Sequence, residues 1–214
     1  MQAIRSDPAK TLVPPGAVHI WIAAEGTVQW DTYKRLINIL DRQQGRKLPL
    51  VIHVRGRSNL KVSTSLGRIL RERGLDTMEG ATIVAACGGK SEADCFALKR
   101  PGGPLEAVLN PNNATCDIGC VLILAGGVHR SLHAATRVIL TGMEINNRLG
   151  LNVSDEHRTG VTLASDHDFR LYLRDMGIDT ELMDIVDQNS AKRSATELTP
   201  ADWTRLHLVT SAPQ

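Results

Sequence analysis

Four cysteines are the most reactive side chains in this chain of 214 residues, and all lie in its middle third: Cys87, Cys95, Cys116 and Cys120. An even, clustered set is compatible with disulfides in an oxidising compartment, and four cysteines allow three pairings. Zinc is disfavoured, because Cys-x7-Cys and Cys-x3-Cys depart from the Cys-x2-Cys knuckle. Cys116 and Cys120, one helical turn apart, also read as small core residues. As a nucleophile, either would need a helix N-terminus to stabilise the thiolate and a base to take its proton. His129 and His133 are the nearest bases in sequence, but no motif places them.

Of the seven histidines, His129 and His133 would make a metal pair only on a helix, and residues 127–134 read as a turn. His157 and His167 lie near Asp155, Asp166 and Asp168, yet no third ligand has a defined spacing. These read as loop and cap residues, so neither a metal nor another cofactor is expected. Arg55, Arg57 and Lys61, with Gly56 and Ser58 between them, cluster around Asn59, a candidate helix cap. Guanidinium forks and helix N–H groups there suit an anionic ligand; a solvated turn explains them equally well. The Asn113 and Asn152 sequons are chance-level matches.

The elements that must hold these residues follow from periodicity. Residues 18–23 (VHIWIA), 48–54 (LPLVIHV), 82–87 (TIVAAC) and 137–140 read as strands. Trp30, Tyr33, Leu36, Ile37 and Leu40 recur at helical spacing, so residues 31–44 form a helix stopped by Gly45. Val62, Leu66, Ile69 and Leu70 line the helix that Asn59 caps, with Gly74 just past its end. Residues 116–124 are a short apolar helix stopped by Gly126 and Gly127. Ser165 is a candidate cap for a helix built on Phe169, Tyr172, Leu173 and Met176. A further short helix carries Leu182, Ile185 and Val186. Thr199 and Pro200 open the last one. Residues 88–115 carry KRPGGP and NPNN with little periodicity, and read as a long loop or an excursion, longer than a compact domain usually tolerates unless it covers something. Strands alternating with helices predict an α/β fold with a mostly parallel sheet.

Lys and Arg number 25 against 23 Asp and Glu, a net charge of +2, too little to argue for nucleic acid or a membrane surface. Aromatics at 3% disfavour a base-stacking platform. No run of about 18 apolar residues is available to span a membrane. Residues 1–16 read as a polar, Pro-rich lead-in without the apolar core of a signal peptide. The chain is expected to be periplasmic or secreted if a signal peptide was removed, and cytoplasmic otherwise.

The stretch NATCDIGCVLILAGGVHRSLHAATRVILTGM, residues 113–143, resembles the active-site unit of Clp-protease-like members of the crotonase superfamily, closest to a poorly characterised group of bacterial, often secreted relatives. Those relatives write the helix start roughly as Cys-Ala-Ser-Ala-Cys-Ala-Leu-Ile-Phe-Leu-Gly-Gly-Val and the strand end as Arg-Ile-Gly-Val-His. The order of other motifs extends the likeness over residues 18–209. The turn Asn-Ser-Pro-Gly-Gly-Ser is matched by the segment around residues 56–58. The helix stop is matched by GRILRERGLDT (67–77), and the tail by ELTPADWTRLHLVT (197–210).

The resemblance implies a ClpP/crotonase-like α/β domain over residues 17–210, with flanking helices, an insertion at 88–115 and a tail at 211–214. It implies a homo-oligomer, since relatives form trimers or stacked rings. The family's serine nucleophile and its histidine base match Ile118 and Thr141, and the third position falls near Ala195. None of these can attack, take a proton near neutral pH or orient a base. In relatives the Pro-Gly-Gly turn helps form an oxyanion hole; here Arg57 and Ser58 replace two of its residues. The expectation is a catalytically degenerate domain that acts by binding or assembly, with a peptide or anionic small ligand at Arg55, Gly56, Arg57 and Ser58. Two enzyme readings stand beside it. One is a peptidase or esterase with a displaced nucleophile at Cys116, Cys120, Ser58 or a residue of the 88–115 segment. The other is an acyl-thioester enzyme using Asp117 or Glu144.

Overall fold

The computed structural model describes residues 2–6, 20–110, 114–143 and 154–211. Asn113, Glu144, Asn152 and the side chains of Asp155 and His157 lie outside the described residues, as do residues 7–19 and 212–214.

The apolar runs of the first half build a parallel sheet. β2 (Ile20–Gly26) and β3 (Leu50–Val54) pair in parallel with Ile22 opposite Leu50 and Ala24 opposite Ile52. β4 (Thr77–Glu79) and β8 (Arg130–Ser131) extend the sheet in parallel. Side chains alternate between faces, and both faces are covered. Ile22, Leu50 and Ile52 enter the main core with Leu36, Ile39 and Leu40 of α1 (Thr32–Arg42) and with Val62, Leu66 and Leu70 of α2 (Leu60–Arg73). Trp21, Ala23 and Val51 pack with Val84 and Ala107 in a smaller cluster on the other face. Those last two come from β5 (Ala81–Val84) and β6 (Glu106–Asn110), an antiparallel pair.

With β1 (Gln2–Ser6), β7 (Thr115–Cys116), β9 (Arg137–Thr141) and β10 (Ala195–Leu198), the full strand order is β5-β6-β1-β2-β3-β4-β8, with a second sheet β10-β9-β7. Among the described residues five of the eight pairings are parallel, so the α/β expectation with a mostly parallel sheet and flanking helices holds. β1 (Gln2–Ser6) joins the sheet between β2 and β6, so the expected lead-in contributes a strand.

Three expectations need correction. Residues 88–115 are not a bare loop. They contain α3 (Glu92–Lys99), capped by Ser91, and β6, and a Cys87–Cys95 disulfide ties α3 to the 3-10 turn Ala85–Cys87. The strand expected at 82–87 ends at Val84, because the Ala-Ala-Cys that follows lacks β-branched residues and turns toward that disulfide. The third parallel strand is instead β4, whose three residues, Thr-Met-Glu, are too few to show a period. Ser165 is no cap either: it is buried inside α5 (Asp155–Asp175), which begins ten residues earlier.

The second sheet leads into a helix buried along its whole length. β7 (Thr115–Cys116) runs into α4 (Ile118–Leu124), all seven of whose residues are buried. Such a short helix leaves its last carbonyls unpaired unless side chains reach them. Arg71 donates to the carbonyls of Ala125, Gly126 and Gly127 at 3.0–3.2 Å, and Thr77 Oγ1 to that of Leu124 at 2.7 Å. Buried Arg130 adds bonds to Gly127, Met176, His207 and Leu208. Burial, with Arg71 nearby, pushes its pKa down to about 10, so it stays cationic at neutral pH. α5, α6 (Glu181–Lys192) and α7 (Pro200–Arg205) complete the helical layer through Phe169, Leu182 and Trp203. Thr199 and Asp202 make the capping box of α7.

Candidate functional site

The turn after β3 is fixed by the loop after β2. The Arg55 N–H donates to the Gly26 carbonyl (3.1 Å), and the Asn59 N–H to that of Val28 (3.0 Å). In return, Thr27 Oγ1 donates to the Arg55 carbonyl (2.8 Å), and the Val28 N–H to Ser58 Oγ (3.3 Å). Gly56 sits at φ +71°, a left-handed conformation that favours glycine. Asn59 Oδ1 then accepts from the Val62 N–H and caps α2, as expected. Arg55, Gly56 and Arg57 are exposed, whereas Ser58 is half-buried.

Ser58 reaches the opening of α4. A Cβ on Gly119 would lie 2.9 Å from the Ser58 Cβ and 3.3 Å from Asp117 Oδ1, so only glycine admits that approach. Asp117 is the N-cap of α4: its Oδ1 accepts from the Cys120 N–H at 2.9 Å. Burial raises its pKa, partly offset by the N–H donors around the carboxylate. Ile118 is the first residue of the helix, 7% exposed and packed into the main core. The Cys116–Cys120 disulfide straddles it, joining β7 to α4. The side chain at this position carries no hydroxyl.

Thr141 ends β9 (Arg137–Thr141) on the surface, directly opposite Ala195, the first residue of β10 (Ala195–Leu198). β9 also pairs with β7, with Cys116 opposite Val138. All three positions singled out by the resemblance therefore belong to one small sheet and the helix leaving it.

All four cysteines are oxidised, in the pairs Cys87–Cys95 and Cys116–Cys120, and no free cysteine remains. A displaced thiol nucleophile is thereby corrected: neither Cys116 nor Cys120 offers a thiolate in this form. His129 pairs through Nδ1 with Asp76 at 2.8 Å, and His133 Nδ1 accepts from the Ala135 N–H. Both serve turns. Asp166 belongs to a clasp between α5 and α6, where Arg170 donates to Asp166, Asp184 and Asp187 at 2.6–2.8 Å. His167 and Asp168 are exposed on α5. Among the described residues no group of three or more His, Cys, Asp and Glu could hold a metal.

Sequence reasoning missed Glu79. It ends β4 at 1% exposure, accepts from Thr136 Oγ1 at 3.0 Å, and lies 3.6 Å from His53 Nδ1. A lone glutamate between Met78 and Gly80 carries no signal of burial.

No family model and no curated protein matches the chain. Among solved structures, it is similar to the 1510-N membrane-bound stomatin-specific protease. A lysine-to-alanine mutant with a substrate peptide aligns at 12% identity and TM-score 0.46, over 89% of this chain and 73% of that one. A serine-to-alanine mutant aligns at 11% and 0.46, over 89% and 77%. The 1510-N membrane protease specific for a stomatin homolog from Pyrococcus horikoshii aligns at 11% and 0.47, over 88% and 70%.

Proposed function

We propose that this chain is a ClpP/crotonase-like domain that has lost serine-peptidase chemistry and acts by binding or assembly. The observation that carries the reading is the opening of α4. Its first residue is the buried Ile118, so no hydroxyl stands where the resemblance places the nucleophile, and the Asp117 carboxylate beside it is engaged in capping the helix. Thr141 and Ala195 add neither base nor acid.

What remains usable is the turn at residues 55–58, with the exposed Arg55 at its start. A peptide carboxylate or small anion fits this rim, held by the guanidinium fork. A homo-oligomer is the assembly the family resemblance implies. Two disulfides favour an oxidising compartment, hence a periplasmic or secreted protein.

Ser58 is the one observation favouring a displaced-nucleophile hydrolase, because its packing on Gly119 brings a hydroxyl to the α4 opening. Its Oγ, however, is engaged by the Val28 N–H. Fluorescent casein and a labelled acidic peptide test the two readings together. The binding reading expects no casein turnover and peptide binding that Arg55→Glu weakens about tenfold or more. Turnover abolished by Ser58→Ala would establish the hydrolase instead.

A further inference from the structure

One buried polar constellation is used by none of the features above. β3 and β4 finish beside each other near His53 and Glu79. The Glu79 side chain has no exposed surface. Its Oε2 accepts from Thr136 Oγ1, but its Oε1 has no hydrogen-bond partner and lies 3.6 Å from His53 Nδ1. His53 Nδ1 is buried and equally without a partner. His53 still keeps 13% of its side chain exposed, and since Nδ1 is buried that exposure belongs to other atoms.

A buried carboxylate oxygen left unpaired beside an unpaired ring nitrogen is unfavourable, and such groups in native folds call for a reason. The place supplies one: ligands of open α/β sheets gather at the carboxyl ends of the parallel strands. Glu25, opposite His53 in the β2–β3 register, is already committed, accepting from Lys99 Nζ at 2.6 Å and from the Thr82 N–H at 3.1 Å. Lys99 lies on α3, the helix tethered through Cys87–Cys95.

We propose that His53 is a general base oriented by Glu79, acting on a water that attacks an activated carboxylic ester. In this proposal Glu79 takes up the Nδ1 side of the ring once the pair closes and so turns the Nε2 lone pair to the water, the division of labour found where a carboxylate backs a histidine. The proposal requires the 3.6 Å separation to close to a hydrogen bond when substrate binds. Nε2 takes a proton from water as the water oxygen bonds to the ester carbonyl carbon. The bond to the leaving alkoxide then breaks, and the alkoxide takes that proton from the imidazolium, so ester and water yield acid and alcohol. Glu79 is a positioning residue, and Thr136 holds its other oxygen. This site needs neither a serine nor a histidine at positions 118 and 141, so it stands or falls apart from the loss of serine chemistry.

The test is hydrolysis of p-nitrophenyl acetate by the whole chain from pH 5 to pH 9, with His167→Gln as the control for an exposed histidine. His53→Gln is expected to lower the rate at least about tenfold and to erase the single-ionisation limb of the pH profile. Glu79→Gln is expected to lower kcat with KM unchanged. Should that variant fail to fold by circular dichroism, Thr136→Val reads the same positioning through a smaller drop in kcat alone. A wild-type rate and pH limb in His53→Gln would overturn the base. Wild-type kcat in folded Glu79→Gln, or in Thr136→Val where that variant replaces it, would overturn the role of Glu79.

Discussion

Thr141 and Ala195 face each other across the antiparallel pairing of β9 and β10. Directly opposed residues in such a ladder hold their Cβ atoms about 4.5–5.5 Å apart, close enough for an acid to act on a base. The positions where the resemblance expects base and acid are thus in register while carrying neither. Thr141→His combined with Ala195→Asp is predicted to recreate the pairing. The new imidazole should titrate about one pH unit higher in the double variant than in Thr141→His alone, read by NMR. Equal values would show that the two positions do not converge.

The crossing of α2 and α4 depends on two glycines. A Cβ on Gly126 would lie 2.2 Å from the Gly67 carbonyl oxygen and 2.4 Å from its Cα. Both are backbone atoms that cannot swing aside. Gly126→Ala is predicted to destabilise the fold by about 3 kcal/mol or more in urea unfolding, at the upper end of overpacking effects. A loss below about 1 kcal/mol would mean that the helices separate easily.

Asp117 makes stability depend on pH. Burial raises its folded-state pKa above the unfolded one. Its contribution to stability is therefore fully present below the unfolded pKa and is lost as the pH rises through the folded pKa. Asparagine caps as well as aspartate and carries no charge to desolvate. Asp117→Asn is predicted to stabilise at pH 7 by up to about 1 kcal/mol, or roughly 2–4 °C in Tm. That gain should shrink as the pH falls into the carboxylate range, where Asp117 is protonated in both states. A loss at pH 7 would contradict this sign.

The Cys87–Cys95 bridge holds a helix that buries little. None of the residues of α3 is fully buried, and the disulfide and the Lys99–Glu25 ion pair tie it down. Closing so short a loop is worth roughly 2.5 kcal/mol in the chain-entropy model. Replacing both cysteines with serine is predicted to speed amide exchange across residues 85–99 while leaving α4 protected. Uniform loss of protection would show that the bridge supports the whole sheet.

The parallel sheet and its helices were legible because their patterns are strong. LPLVIHV reads as a doubly covered strand, and Asn59, Gly74, Thr199 and Pro200 all act as their types predict. β4 was not legible, because Thr77, Met78 and Glu79 take their place from hydrogen bonds to β3 rather than from any period of their own. α3 was hidden for a similar reason, since a helix held by a disulfide needs no apolar face. At the site, the positions of Ile118 and Thr141 came from a resemblance, and the structure puts them on one small sheet and its helix. The capping by Asp117 and the contact of Ser58 with Gly119 depend on three-dimensional approach. So does the buried pair His53 and Glu79, whose partners lie 26 residues apart in sequence.

The most direct test of lost serine chemistry is the intact mass of the purified protein after a fluorophosphonate probe and, separately, after a thiol alkylator without reductant. The prediction is an unchanged mass in both samples, because the proposed loss of serine chemistry leaves no serine to react and all four cysteines are paired. A stoichiometric fluorophosphonate adduct at a single serine would contradict the loss of nucleophilic chemistry and identify the residue that carries it.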